Sequence, residues 1–276
     1  MINAVGNRLT REINRQSRLA DQVEQTQIQV STGQRIQRRS DDPIAFARAS
    51  QLGQEASAAT GWARNVDQAS ARVAQADNVM ESASDLMARV GELVLAAGGT
   101  VNAADRNTIA NEITALADEL ASLAATTAPN GEPLFLPGTA GREARFDSNI
   151  VFAPLPGRDS AMAVGGRSMA VIAADAATAV RSGNPALITT AANDANTAIS
   201  HLADQRAQLG LSGARLERVG ESLASRDIEL AAERSALMDT DLSEAIARLN
   251  AQTLTLEAAQ AAFARINRQT LFDLLS

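Results

Sequence analysis

Apolar residues recur along this chain in alternating steps of three and four, broken at a few places by Gly, Pro and Asp. Near the C-terminus, Leu242, Ala245, Leu249, Gln252, Leu256, Ala259, Phe263 and Ile266 keep that alternation without a miss, which predicts the seam of a coiled-coil helix. At the other end Ile2, Val5, Leu9, Ile13, Leu19, Val23 and Val30 trace a looser helical stripe. An isolated helix has nothing to bury such a stripe against. The two ends are therefore expected to pair with each other or with neighbouring molecules, through Leu9, Ile13, Val23 and Val30 on one side and Leu242, Leu249, Leu256, Phe263 and Ile266 on the other.

The interior carries stricter patterns. Val66, Ala69, Val73, Ala76, Met80, Ala83, Met87, Val90, Val94 and Ala97 predict one helix, stopped by Gly98-Gly99. Ile109, Ile113, Leu116, Leu120 and Leu123 predict a second, ended by Pro129-Asn130-Gly131. Beyond Asn184-Pro185, a cap and first-turn proline, Ile188, Ala195, Leu202, Leu209, Leu216, Leu223, Leu230 and Leu237 fall at strict sevens. The rhythm breaks at Asp239-Thr240-Asp241 and resumes out of phase at Leu242, as a hinge or a fresh helix N-terminus would require. A matching hinge is expected at Ser40, Asp41, Asp42 and Pro43, with Ser40 or Asp41 as cap and Gly33 closing the preceding helix.

Residues 129–175 follow neither period. Five of the seven Pro and three of the six Phe lie there, and short apolar runs alternate with turns. The chain thus divides into an N-terminal coiled-coil helix (1–40), the first half of a helical rod (41–131), a small β-rich insertion (132–175), the second half of the rod (176–238) and a C-terminal coiled-coil helix (239–276). Because the flanking heptads look complete, the insertion is expected to lie outside the helical core and to be dispensable for it, its three Phe offering apolar surface to neighbours.

Composition narrows the fold class to mainly α. Six Phe, one Trp and no Tyr supply too little bulk for a thick core, but suit thin helix-on-helix contacts. A net charge of −7 argues against non-specific nucleic-acid binding. No apolar run approaches the ~20 residues of a membrane span, and the N-terminus lacks the apolar stretch of a cleavable secretory signal. With no Cys and a single His, His201, neither a thiolate metal site nor a His-based triad is predicted. Asp41-Asp42 and Asp239/Asp241 are read as helix caps rather than metal ligands. No catalytic residue, cofactor or metal is expected. A leucine-zipper transcription factor would need a basic helix before its repeat, and residues 176–184 hold one Arg. A soluble coiled-coil adaptor or chaperone-like bundle stays open on the pattern alone.

Two stretches carry a family resemblance. Ser31-Thr-Gly-Gln-Arg-Ile-Gln-Arg-Arg-Ser-Asp-Asp-Pro-Ile-Ala is similar to the N-terminal signature of the bacterial flagellin superfamily, and Asp239-Thr-Asp-Leu-Ser-Glu-Ala-Ile-Ala-Arg-Leu resembles its C-terminal one. Leu123 to Gly138 and the ending Leu271-Phe-Asp-Leu-Leu are more like the branch that joins hook to filament than like filament subunits. The resemblance implies a structural, non-enzymatic subunit of the extracellular flagellum, exported by the flagellar type III route. It also implies assembly with its own copies and other axial proteins, and a dedicated export chaperone. A short filament-forming flagellin is the alternative. Met87 to Leu93 is in part similar to the flagellin segment read by an innate immune receptor, with Gly91 where that motif has Arg.

Overall fold

The computed structural model describes residues 2–99 and 102–275, with side chains described for 10–99 and 102–265. Among them are the helices α1 (Ile2–Thr32), α2 (Pro43–Gly98), α3 (Ala103–Ala124), α4 (Arg158–Met162), α5 (Met169–Ser182), α6 (Pro185–Met238) and α7 (Leu242–Leu275). Two compact units result: residues 57–227, and a terminal unit made of residues up to 56 and from 228 onward. Helices α2 and α6 contribute residues to both.

The helix ends follow from local chemistry. Asn102 caps α3, its side chain accepting from the Ala104 N–H. Gly183, at φ 64°, takes the left-handed turn that ends α5, and the Asn184 side chain then accepts from Ala186 N at 2.9 Å to start α6 behind Pro185.

In the unit 57–227 the α2 stripe from Val66 to Ala97 is buried throughout, as are Ile188, Ala195, Leu202, Leu209, Leu216 and Leu223 of α6. Gly220 lies beside Val66, Gly213 beside Val73, Gly91 beside Ala195 and Gly98 beside Ile188, so the two helices run antiparallel in one register. Glycine and alanine at these crossings let the backbones approach, which is how a chain poor in aromatics still fills its core. Helix α3, which buries Ala110, Ile113, Ala117 and Leu120, packs on α5.

The segment 132–175 departs from the sequence reading. Its strands are four dipeptides: β1 (Ala144–Arg145) pairs with β2 (Val151–Phe152), and β3 (Ala163–Val164) with β4 (Arg167–Ser168), both antiparallel. Its last residues, from Met169, already belong to α5, whose first turn is capped by the Ser168 hydroxyl. Nor is it external. Leu134, Phe135, Phe146, Leu155, Met162 and Met169 are buried in the same cluster as Met80 and Met87. The expectation that the segment lies outside the helical core is overturned: the heptads of α2 and α6 each bury one stripe, and residues of this segment join the same buried cluster. Phe152, the remaining aromatic, sits 4.7 Å from Phe146 and carries the Arg215 guanidinium 3.9 Å over its ring. Backbone crosses backbone here: a Cβ on Gly141 would collide with the Leu155 carbonyl, and one on Gly157 with that of Gly138.

Glu132 ties this segment to α2. Its carboxylate accepts from Arg72 at 2.8 Å and Arg142 at 2.9 Å, and those bonds, Arg72 foremost, hold its pKa down to about 2 from 4.5. A carboxyl whose pKa is lowered by folding favours the fold above its unfolded pKa and ceases to as pH falls through the folded value. The contribution of this contact is therefore expected to be full above pH 4.5 and lost between about 4.5 and 2. Carbon-detected NMR of the Glu132 carboxyl should report that depressed titration, and Glu132→Gln should remove its share of the acid sensitivity.

Candidate assembly interface

Where the chain ends enter the terminal unit, the two signature stretches meet. Gly33, at φ 70°, closes α1, its N–H bonding Gln29 O at 2.9 Å. The chain then runs antiparallel to the end of α6, with a bridge between Gln34 and Asp239. Arg35 N donates to Met238 O at 2.7 Å, Thr240 N to Gly33 O at 2.9 Å, and the Arg35 guanidinium to Leu237 O at 2.9 Å. The last carbonyls of α6, which have no partner within the helix, are satisfied by the other end of the chain. Ile36, between Arg35 and Gln37 in sequence, is 1% exposed and plugs this clasp.

Three of the four acidic residues at the hinges, Asp41, Asp42 and Asp241, accept from backbone N–H groups. Asp41 accepts from Gln37 N at 3.1 Å and Arg38 N at 2.9 Å, and these two bonds, Arg38 first, lower its pKa. Asp42, rather than Ser40 or Asp41, caps α2, accepting from Ala45 N at 3.0 Å with Pro43 at the first helical position. The reason is spacing: Pro43 fits only at the start of a helix, so the residue just before it must be the cap. Ser40 instead donates weakly to Asp41 at 3.4 Å. Asp241 caps α7 by accepting from Ser243 N and Glu244 N at 2.9 and 3.1 Å. Asp239 accepts from the Ser235 hydroxyl at the end of α6.

Beyond the clasp, α1 and α7 pair within one chain. Thr26 Oγ1 meets Gln252 Oε1 at 2.8 Å, and Gln16 Nε2 donates to Ala259 O at 3.4 Å, so the helices are antiparallel. On α7 the shielded positions are Ala245, buried outright, and Leu249, Gln252, Thr253, Leu256, Ala259 and Phe263, all half-buried. On α1 they are Glu12, Gln16, Leu19, Val23, Thr26, Gln29 and Val30. Of the residues singled out from sequence, the fold brings Val23, Val30, Leu249, Leu256 and Phe263 onto these faces. Ile13, 51% exposed, and Leu242, 47% exposed, lie beside them. The side chains of Leu9 and Ile266 lie outside the described residues. Thr26 and Ile36 were missed, since a threonine and an isoleucine amid charges give no periodic apolar signal.

The seam is thin. A fully buried apolar side chain contributes about 1.5–3 kcal/mol, and most of these are buried only by half. Ile13, Ile28, Ile44, Ile228, Leu242, Ile246 and Leu254 of the same unit stay exposed in the single chain. Singly exposed apolar residues are ordinary, but seven large ones in one small unit suit further burial between molecules. No described helix is long and apolar enough to cross a membrane. Among the described residues no three His, Asp or Glu converge as a metal site would need, and His201 is engaged with Ser160 O at 2.8 Å. In the receptor-like segment Val90 and Leu93 are buried, while Arg89 is bonded to Glu112 and Glu92.

Comparison with known proteins agrees with this geometry. The family model described as the bacterial flagellin N-terminal helical region matches residues 3–138, and that of the C-terminal helical region matches residues 193–275. No curated protein matches the chain in sequence. Among solved structures, a chain described as a candidate flagellar hook-associated protein from Vibrio parahaemolyticus has a similar fold. Its TM-score is 0.67 at 14% identity, over 72% of this chain and 100% of that one.

Proposed function

We propose that this chain, which belongs to the bacterial flagellin superfamily, is the axial subunit that joins hook to filament. Membership makes it a structural flagellar protein, with self and other axial proteins as its partners. The junction role is the finer reading. The observation that supports assembly is the terminal unit, where two amphipathic ends are clasped at Gln34 and Asp239 and leave large apolar side chains uncovered. The stretch from Leu123 to Gly138 and the ending Leu271-Phe-Asp-Leu-Leu favour the junction branch over a filament subunit. Export by the flagellar type III route, with a chaperone covering the ends beforehand, belongs to the same reading.

Electron microscopy of the purified protein incubated with isolated hooks tests it. Short rings capping the hooks are the expected result. Long filaments grown from protein alone would assign it to the filament-forming branch, and a monodisperse bundle that ignores hooks would favour a soluble adaptor.

A second consequence concerns dynamics. The half-buried seam predicts that α1 and α7 open at lower free energy than the fully buried α2 stripe. In dilute monomer, amides of 10–30 and 245–263 are expected to exchange well before those of 66–97. Equal protection in a verified monomer would show that ordering of the ends does not wait for assembly.

A further inference from the structure

Two open clefts in the unit 57–227 have opposite charge and similar walls. The first, about 310 Å³, lies over α2 beneath the 133–145 and 154–156 segments. Its lining carries three guanidiniums, Arg72, Arg142 and Arg145, and no carboxylate, above Leu134, Leu136 and Leu155. Glu132, at the edge of the segment, is already shared between Arg72 and Arg142. The lining itself is thus cationic in a chain of net −7. The second, about 410 Å³, lies between α2 and α3 and is lined by Ser82, Asp85, Leu86, Glu119, Ser122 and Leu123. It carries two carboxylates and no cation. Asp85 and Glu119 are both exposed; among the described residues Glu119 forms no ion pair, while Asp85 feels the Arg206 guanidinium only through space, Arg206 being hydrogen-bonded to Asp77.

We propose that the arginine cleft of one copy docks on the exposed Asp85/Glu119 edge of α2 and α3 in the next, the carboxylates reaching toward the guanidiniums. The pairing rests on the reading of the chain as a self-assembling subunit. Charge complementarity selects a second copy as occupant, because each cleft supplies what the other lacks, and the leucine walls give both a dry floor. The two patches are different surfaces of one molecule. Their contact is therefore head-to-tail, the kind that builds rings or helical tubes rather than closed dimers.

Charge exchange tests this on the full-length chain. Glu119 is exposed; Arg142 is half exposed but shares Glu132 with Arg72, so thermal unfolding of each variant must first show that the fold survives. R142E and E119R are each expected to raise the concentration needed for assembly by tenfold or more. The double variant R142E/E119R, and an equimolar mixture of the two single variants, should recover most of it, since each restores one opposite pairing. Single variants that assemble like the natural chain, or a double variant no better than the worse single one, would overturn the contact. A natural chain that stays monomeric even with hooks would overturn the assembly reading itself, and the contact with it.

Discussion

Phe146→Ala is expected to destabilise the unit 57–227 by about 3–5 kcal/mol, the usual cost of emptying a buried aromatic site. The ring is fully buried and packs against Phe152, whose outer face is covered by Arg215, so its neighbours cannot readily collapse into the gap. Domains of this kind have about 5–15 kcal/mol in total, and one truncation would consume a large share. Replacing residues 133–168 by a Gly/Ser linker should go further. It removes Leu134, Phe135, Phe146, Leu155 and Met162 from the core at once and uncovers the buried side of α2. Loop closure is no obstacle to such a deletion, because its cost grows only slowly with length. The lost burial decides the outcome. Chemical denaturation followed by circular dichroism should show the Phe146 variant with a lower midpoint, and the deletion with no cooperative transition for this unit. A deletion variant that melts like the parent would return the segment to the status of an appendage.

Leu256→Asp is expected to abolish pairing of α1 with α7, and with it assembly, while the unit 57–227 melts unchanged. Leu256 sits mid-seam between Gln252 and Ala259 and is half-buried. The substitution forfeits part of the roughly 1.5–3 kcal/mol of apolar burial and places a carboxylate on the shielded face of the seam. A seam made of half-buried residues has little reserve against that. Sedimentation should show monomer at concentrations where the parent assembles, and the thermal transition of the central unit should not move. Phe263→Asp, one heptad on, should behave alike. If the central helices melt together with the seam, the two units are not energetically separate.

What could be read from the chain follows from which residues repeat. The stripes of α2 and α6 are nearly pure Val, Ala, Met and Leu at three-four steps, and every one from Val66 to Ala97 is buried. The Asp241 cap and the Asn184-Pro185 start were equally legible, because capping is a local matter of one side chain and two N–H groups. The terminal seam was legible only in part. On α1 the phase passes through Glu12, Gln16 and Thr26, so counting apolar residues drew the eye to Ile13, which lies off the shielded face. The segment 132–175 was misjudged for a different reason. Phe135, Phe146 and Met162 are single residues in irregular backbone, and a non-periodic segment does not announce what it packs against. The clasp shows the same limit: Arg35 and Asp239 look like surface charges until the fold sets them about two hundred residues apart in sequence but side by side in space.

The clasp also sets the concentration at which the ends meet. Gly33 and Thr240 are hydrogen-bonded; α1 ends and α7 begins within a few residues of them. Each helix therefore experiences its partner at an effective concentration of order millimolar, as short tethers provide, however dilute the protein. Pairing within a chain should not respond to dilution, whereas every contact between chains must. A dilution series read by helicity and by mass would separate the two. It would also distinguish a clasp that holds the ends together from one formed only after neighbours have done so.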